Sequence, residues 1–244
     1  MKPFWITTSW DDGHRLDLRL ADLLDQYDLR GTFYVARDLL DERLSEAEIA
    51  GLAARHEIGA HTLTHPGLTE IDPGTARREI VDSRAWLQDV TGSAITAFCP
   101  PRGAINPAVR HLIADAGYEV ARTVELYRLD VGDDRLMLPT TINVYPFPLR
   151  PSSSIRARFQ PIQRALPHVP TLRLPLWALR SWPALAIALL DRVAQIGGVW
   201  HLWGHSWEIE HHGLWADLER VLAATRRYPD AHRVTNTELA RAIF

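Results

Sequence analysis

The sequence predicts an α/β protein whose parallel sheet closes, or nearly closes, into a distorted, TIM-like (β/α) barrel of about seven strands. Short runs rich in β-branched and aromatic residues alternate with segments of helical periodicity along most of the 244 residues. Such alternation is typical of a parallel sheet. Polar residues also follow several predicted strands directly, and in a parallel barrel those strand ends share the face that carries the active site.

Each element is predicted from its local pattern. The run FWITTSW predicts the first strand at residues 4–10, and apolar positions three and four apart predict the first helix at residues 16–27. Asp72 and Pro73 predict the start of a long helix, since proline suits the first turn. Similar patterns predict strands at 31–36, 57–61, 97–101, 119–124, 140–144, 199–203 and 233–235, and helices at 44–55 and 214–228.

Composition narrows the classes of function. With 46% hydrophobic residues the chain can bury one large core, and we predict a single domain over residues 1–244. A net charge of −3 argues against a nucleic-acid partner. The single cysteine, Cys99, excludes an internal disulfide and fits a reducing compartment. The sequence shows no secretory signal and no membrane-spanning run, so we predict a cytoplasmic protein without a transmembrane segment.

Residues 146–183, called the cap segment below, differ from the rest of the chain. They contain eight of the sixteen prolines. No acid occurs between Arg135 and Leu190, whereas seven arginines do, so this stretch carries +7 and the remainder of the chain −10. One interpretation is an irregular, solvated loop region. The other is a cap or insertion that lies over the site and meets an anion.

Two pairs of histidines have the spacing i, i+4. On a helical turn such residues share a face, so His61 and His65 in HEIGAHTLTHPGL are candidates to bind one metal ion. His201 and His205 lie on a predicted strand instead. Four strand steps place them roughly 13 Å apart, which is too far for chelation.

Several candidate residues converge on one predicted face. Asp11 and Asp12 follow the first strand, His61 and His65 follow the third, and further polar groups follow later strands: Arg102, Gly103 and His205. A helix cap would explain one of the two adjacent acids but not both. A metal site explains both, because one acid and two histidines bind the ion while the second acid accepts a proton from water.

Four short stretches then resemble one family. TTSWDDGH is similar to the T-F-D-D-G motif of the polysaccharide deacetylases (NodB-homology carbohydrate esterases), and HTLTH to their H-[ST]-x-x-H motif. FCPPRG is similar to F-R-P-P-Y-G and LWGH to L-x-x-H, and the order is kept from residue 4 to about 240. The resemblance implies a distorted barrel with fewer than eight regular units. It also implies Asp11 as base, Asp12, His61 and His65 as ligands of a divalent metal ion, His205 as acid, and the Pro101–Arg102 turn, through the Arg102 N–H, as a donor to the substrate oxyanion.

Two departures from the family pattern leave residues unassigned. Cys99 replaces the arginine that orients the base and Arg102 replaces a tyrosine, so that arginine is either missing or supplied by Arg102. The D-x-x-D-W motif is not found, and Glu208 is the candidate partner for His205. His14, Trp203 and Trp207 are further candidates for substrate binding, the tryptophans by stacking on a sugar ring.

The leading hypothesis is a metal-dependent hydrolase, with zinc as the ion, that removes an N-acyl group, acetyl, from an amino sugar. The arginines suggest a substrate that carries a nucleotide or lipid phosphate, and the apolar residues 172–190 suggest peripheral contact with a membrane. Two alternatives stay open. One is a metal-independent amide hydrolase of a small cyclic amide or ureide, and the other is an inactive carbohydrate-binding relative.

Overall fold

A curled, fully parallel sheet organises the computed structural model, which describes residues 3–244. The strand order is β5-β4-β3-β2-β1-β7-β6, and β8 pairs with the start of β1. The strands are β1 (Phe4–Asp12), β2 (Gly31–Val35), β3 (Glu57–Ala60), β4 (Ala97–Phe98), β5 (Val120–Ala121), β6 (Ile142–Asn143), β7 (Gly198–Gly204) and β8 (His232–Arg233).

The stretch that leads into β6 brings the two ends of the sheet together. Leu138 forms a parallel bridge with Arg122, just after β5, and four residues later Ile142 pairs with Leu202 of β7. The sheet therefore curls into a partial barrel with short strands on one side. This architecture confirms the distorted (β/α) barrel that the sequence predicts.

Ten α-helices are present in the described part of the chain, and several begin where the sequence predicts. Asp72 caps the long helix by accepting the Thr75 N–H, and Ser45 and Glu48 form a reciprocal capping box. The helices are α1 (Asp17–Gln26), α2 (Glu46–Ala53), α3 (Pro73–Thr91), α4 (Pro107–Asp115), α5 (Ile155–Ala165), α6 (His168–Thr171), α7 (Trp182–Ile196), α8 (Ser206–His211), α9 (Trp215–Ala224) and α10 (Asn236–Ile243).

The apolar end of the predicted membrane-contacting stretch 172–190 belongs to the core. Most of α7 is buried against β7 and α9, and the Trp200 indole N–H donates to the Ala186 carbonyl at 3.1 Å. The expectation of membrane contact is therefore wrong for residues 182–190, because the sheet covers them. Within residues 3–244 no helix combines the length and apolar character needed to cross a membrane.

A buried chain of hydrogen bonds runs through the inside of the barrel. The Ser9 hydroxyl donates to His201 Nε2 at 2.9 Å, while His201 Nδ1 donates to the Pro139 carbonyl. Burial lowers the pKa of His201 to about 3, so this ring is neutral. Both ring nitrogens of His201 are therefore hydrogen-bonded within the barrel. This agrees with the expectation that His201 does not share a metal ion with His205.

The start of β7 depends on a glycine, and this yields a stability prediction. Gly198 has φ +115°, and a Cβ there would lie 2.1 Å from the Leu129 carbonyl oxygen. Replacing Gly198 with Ala should lower the free energy of unfolding by about 2–4 kcal/mol through backbone strain and the clash. Gly51 of α2 is the control, because its Cβ would meet nothing within 4 Å. Gly51→Ala should stabilise by about 0.5–1 kcal/mol. Equal urea midpoints for the Gly198→Ala and Gly51→Ala variants would contradict this prediction.

Candidate active site

A cleft of about 390 Å³ lies at the carboxyl ends of the strands. Eight of the ten candidate site residues line it, although they come from four separate parts of the chain. These are Asp11, Asp12, His61, His65, Arg102, Trp203, His205 and Trp207. Pro101 is buried directly beside Arg102, whereas His14 does not line the cleft. The His14 ring accepts the Leu16 N–H through Nδ1, and its Nε2 lies 3.7 Å from Glu42.

Asp11 forms a buried ion pair with Arg122. Arg122 Nη2 donates to both carboxylate oxygens, and the guanidinium also lies 4.5 Å from the ring centroid of Trp203. Burial alone would raise the pKa of Asp11, but the Arg122 guanidinium and the His61 and His205 rings outweigh it, so the pKa is lowered. Asp11 is therefore an ionised carboxylate that is held in one place.

Arg122 is a residue of the candidate site that the sequence patterns did not identify. The prediction that Asp11 either lacks an arginine partner or takes Arg102 as that partner is wrong. The Arg102 side chain is exposed and lies 3.8 Å from Glu70 instead. One signal was available, because Arg122 interrupts the apolar run of the predicted strand 119–124. A charge in such a position needs a partner.

Asp12, the last residue of β1, has a different environment from its neighbour. Its φ of +82° takes it out of the extended conformation, so both acids line the same cleft. The Trp207 indole N–H donates to Oδ2 at 2.9 Å. Oδ1 is buried without a hydrogen-bond donor, and it lies 3.7 Å from His61 Nε2 and 3.6 Å from His65 Nε2.

The two histidines direct ring nitrogens at that oxygen. His61 Nδ1 donates to the Cys99 carbonyl at 2.6 Å, which fixes the orientation of the ring with Nε2 on the side of Asp12. Burial, aided by His61, lowers the pKa of His65 to about 4, so the His65 ring is neutral at pH 7. One carboxylate oxygen and two imidazole nitrogens therefore lie around one point. This donor set fits a divalent metal ion.

A second cluster of potential ligands is less suitable. Asp11, His61 and Cys99 also bring ligand atoms within 4.8 Å of one another. However, Arg122 already occupies both oxygens of Asp11. Burial raises the pKa of the Cys99 thiol well above its usual range, so the thiolate form is disfavoured. The Asp12 cluster is thus the better metal site.

The loop that carries His61 and His65 is not helical. Thr62 and His65 have φ values of +69° and +59°, and the His65 N–H donates to the Thr62 hydroxyl. Glu79 of α3 holds this loop by accepting the Leu63 and Thr64 N–H groups and the Thr64 hydroxyl. The helical-turn argument for the pair is therefore wrong, although the two rings do converge.

His205 lies at the other side of the cleft, at the residue directly before α8. Its Nδ1 donates to Glu208 Oε2 at 2.5 Å, the contact suggested from sequence, and its Nε2 is 3.9 Å from Asp12 Oδ2. Burial by itself lowers the pKa of His205. The Glu208 hydrogen bond and the charges of Asp11 and Asp12 outweigh burial and raise the pKa to about 9. The ring is therefore protonated at neutral pH.

A turn between β4 and α4 supplies a backbone donor. Arg102 has φ +58°, and the N–H groups of Gly103 and Ala104 donate back to Pro100 and Pro101. Among the described residues, the Arg102 N–H has no such acceptor. It is thus free to bind an oxygen atom in the cleft.

A second cavity of about 260 Å³ adjoins the cleft beneath the cap segment and shares Arg164, Trp203 and His205 with it. Pro161 lies inside α5 and cannot donate to the Ala157 carbonyl, which accepts Arg150 Nε at 2.8 Å instead. The other guanidinium nitrogens of Arg150, and all three of Arg164, have no acceptor within residues 3–244. The cap segment contains α5 and α6, and it places two arginines with free donors beside the cleft.

Comparison with known proteins points to one family. Residues 2–121 match the family model for polysaccharide deacetylase. The chain is 29% identical over 107 residues to the Bacillus subtilis peptidoglycan-N-acetylmuramic acid deacetylase PdaC, covering 43% of this chain and 23% of that protein. It is 30% identical over 114 residues to chitin deacetylase 1 of Cryptococcus neoformans, covering 45% and 23%. The chain thus spans about a quarter of the length of these curated relatives.

The fold is shared over almost the whole chain. A Mycobacterium smegmatis structure assigned to the polysaccharide deacetylases superposes with a TM-score of 0.68 at 19% identity. That match covers 99% of this chain and 90% of the other. The motif resemblance and the curled parallel sheet therefore agree.

The buried ion pair yields a prediction on stability. Arg122→Met should lower the free energy of unfolding at pH 7 by about 3–5 kcal/mol, because it leaves Asp11 charged and unpaired. The pKa of Asp11 is depressed in the folded state, so the pair stabilises above the unfolded value of 3.8 and loses its effect as pH falls through the folded pKa. The loss caused by Arg122→Met should therefore shrink in acid.

Two control variants make this measurement decisive. Arg110→Met breaks a partly exposed ion pair with Asp134 and should lose less than about 1 kcal/mol. The double variant Asp11→Asn/Arg122→Met removes both charges and should recover much of the loss. Urea unfolding that showed equal losses for Arg122→Met and Arg110→Met would rule out a special role for this pair.

Proposed function

We propose that this member of the polysaccharide deacetylase family is a metal-dependent hydrolase that removes an acetyl group from the nitrogen of an amino sugar. The observation that carries the proposal is the unequal environment of the two adjacent acids. Asp11 is paired with Arg122, whereas Asp12 directs an oxygen without a hydrogen-bond donor at two imidazole nitrogens. The relatives named above act on acetylated amino sugars of peptidoglycan and chitin, which supports this substrate class.

The ion we propose is zinc, held by Asp12, His61 and His65. Two imidazoles and one carboxylate are a ligand set that zinc favours and that leaves coordination positions open. When bound, such an ion supplies a Lewis acid for the acyl carbonyl and favours the ionisation of water. The hydrogen bond from His61 to the Cys99 carbonyl supports this role, because it orients the ring in advance.

The remaining groups divide the proton transfers between them. Asp11 has a lowered pKa and accepts the proton of the attacking water. His205, protonated because its pKa is raised to about 9, donates a proton to the departing amine. The Arg102 N–H binds the developing oxyanion, and Trp203 and Trp207 provide surfaces for the sugar ring.

We further propose that the sugar carries a phosphate, in a nucleotide-linked or lipid-linked form. The second cavity adjoins the cleft, so a group attached to the sugar can enter it while the acetyl group stays near Asp12. Arg150 and Arg164 direct free guanidinium donors there, and planar guanidinium groups suit phosphate oxygens. The only acid that lines this cavity within residues 3–244 is Glu208, which is bound to His205.

The metal and the base can be tested separately on N-acetylated chitooligosaccharides. His65→Ala should lose bound zinc and activity together, since it removes one of three ligands. Asp11→Asn should keep zinc but lose about 10²- to 10⁴-fold in turnover, because an amide cannot accept the proton. His14→Ala should keep both the bound zinc and the turnover of wild type, since the His14 ring lies outside the cleft. Elemental analysis and amine release are the measurements.

Two results would contradict the proposal. Equal zinc content in wild type and His65→Ala would remove the metal assignment. A zinc-loaded protein that releases no amine from any N-acetylated amino sugar would remove the activity.

The phosphate can be tested with soluble N-acetylglucosamine 1-phosphate against the neutral methyl glycoside. Arg150→Gln and Arg164→Gln should each lower kcat/KM for the phosphate substrate about 10- to 100-fold, the effect of a lost charge-assisted hydrogen bond. The value of kcat/KM for the neutral substrate should fall far less in both variants. Arg156 is the matched control, because it lies in α5 but does not line this cavity. Equal kcat/KM for both substrates in wild type and in all variants would disprove the phosphate part while leaving the hydrolase intact.

A further inference from the structure

The helix α5 is oriented with its apolar side outward. Ile155, Phe159, Ile162 and Leu166 recur at spacings of four, three and four, which places them on one stripe. In an ordinary surface helix such a stripe faces the core. Here Ile155 is 75% exposed, Phe159 43% and Leu166 48%.

The opposite side of α5 explains this orientation. Gln160, Pro161 and Arg164 line the second cavity, so the polar side of the helix faces inward. Ala165 is the only buried residue of the helix. Barrel packing therefore leaves three of the four stripe residues exposed, and Ile162 is half-buried.

The charge around the stripe is of one sign. Arg156 and Arg158 are exposed and fall on its two flanks, at about 100° per residue around the helix. No acid occurs from residue 136 to 190, so no carboxylate of this stretch offsets them. Six of the ten exposed large apolar side chains of residues 3–244 lie between residues 149 and 177. Apolar and basic surface are thus concentrated in the same short segment.

We propose that α5 docks onto an anionic lipid bilayer, with the stripe of Ile155, Phe159, Ile162 and Leu166 in the interface and Arg156 and Arg158 at the level of the lipid phosphates. An apolar stripe flanked by arginines is the pattern of helices that lie in a membrane surface. Each basic residue near an anionic surface adds attraction that salt weakens.

The size of the stripe favours a bilayer over a second copy of the chain. Eleven residues at 1.5 Å each span about 16 Å, and a helix about 10 Å wide then offers on the order of 160 Å². A stable protein interface needs about 800 Å² from each partner. A bilayer has no such requirement, because a few side chains and charges suffice for reversible binding.

The docking does not depend on the proposed hydrolase activity, and vesicle sedimentation of the full chain tests it without any substrate. The protein should sediment with vesicles of equal parts phosphatidylcholine and phosphatidylglycerol and much less with phosphatidylcholine alone. Ile155→Ser/Phe159→Ser should weaken binding about tenfold or more. Arg156→Gln/Arg158→Gln should weaken it about 10- to 30-fold and reduce its sensitivity to salt.

The control is Ile196→Ser/Ile243→Ser, which removes two exposed apolar side chains outside the cap segment and should bind like wild type. Far-UV circular dichroism of each variant checks the fold. Equal sedimentation of wild type and Ile155→Ser/Phe159→Ser, or none with anionic vesicles, would overturn the proposal. A dimer in sedimentation equilibrium that Ile155→Ser/Phe159→Ser dissociates would also overturn it and identify a second copy as the occupant.

Discussion

Two neighbouring carboxylates buried at the end of one strand are the constraint on which the site depends. An unpaired buried charge is costly, and two like charges side by side are more so. The charges of the two carboxylates are compensated in different ways. Arg122 neutralises Asp11 from across the barrel, whereas Asp12 meets an indole N–H on one oxygen and two imidazoles on the other. One carboxylate is therefore fully paired within the protein, and the other keeps an oxygen without a hydrogen-bond donor.

Backbone strain is concentrated at the same place. In an extended strand adjacent side chains point to opposite faces, so Asp11 and Asp12 could not share a cleft if both were regular. Asp12, Thr62, His65 and Arg102 all have positive φ, which costs on the order of 1–3 kcal/mol for each residue. Compensating contacts surround them, above all the three hydrogen bonds that Glu79 accepts from residues 63 and 64. The rigid barrel thus holds the strained loop ends in one arrangement.

Local patterns predicted much of the fold. The start of α3 follows from Asp72 and Pro73, and the central strands follow from short apolar runs, because capping and alternation are properties of neighbouring residues. The Asp11–Arg122 pair could not be found this way, since 111 positions separate its partners and only the closing of the sheet brings them together. The loop 61–65 shows the same limit. Its spacing was informative, but its conformation depends on Glu79 from another element.

The arginines of the cap segment lie on two different surfaces, although they come from one stretch of sequence. Periodicity finds an amphipathic helix, yet it does not say which side faces the protein. In α5 the cavity next to the cleft sets the direction, because Gln160 and Arg164 line it and the apolar stripe must then face out. The acid-free run of arginines consequently divides in two. Arg150 and Arg164 line the second cavity, while Arg156 and Arg158 flank the outer stripe. A single positive stretch of sequence therefore contributes to two separate surfaces, the wall of the cavity next to the cleft and the outer side of α5.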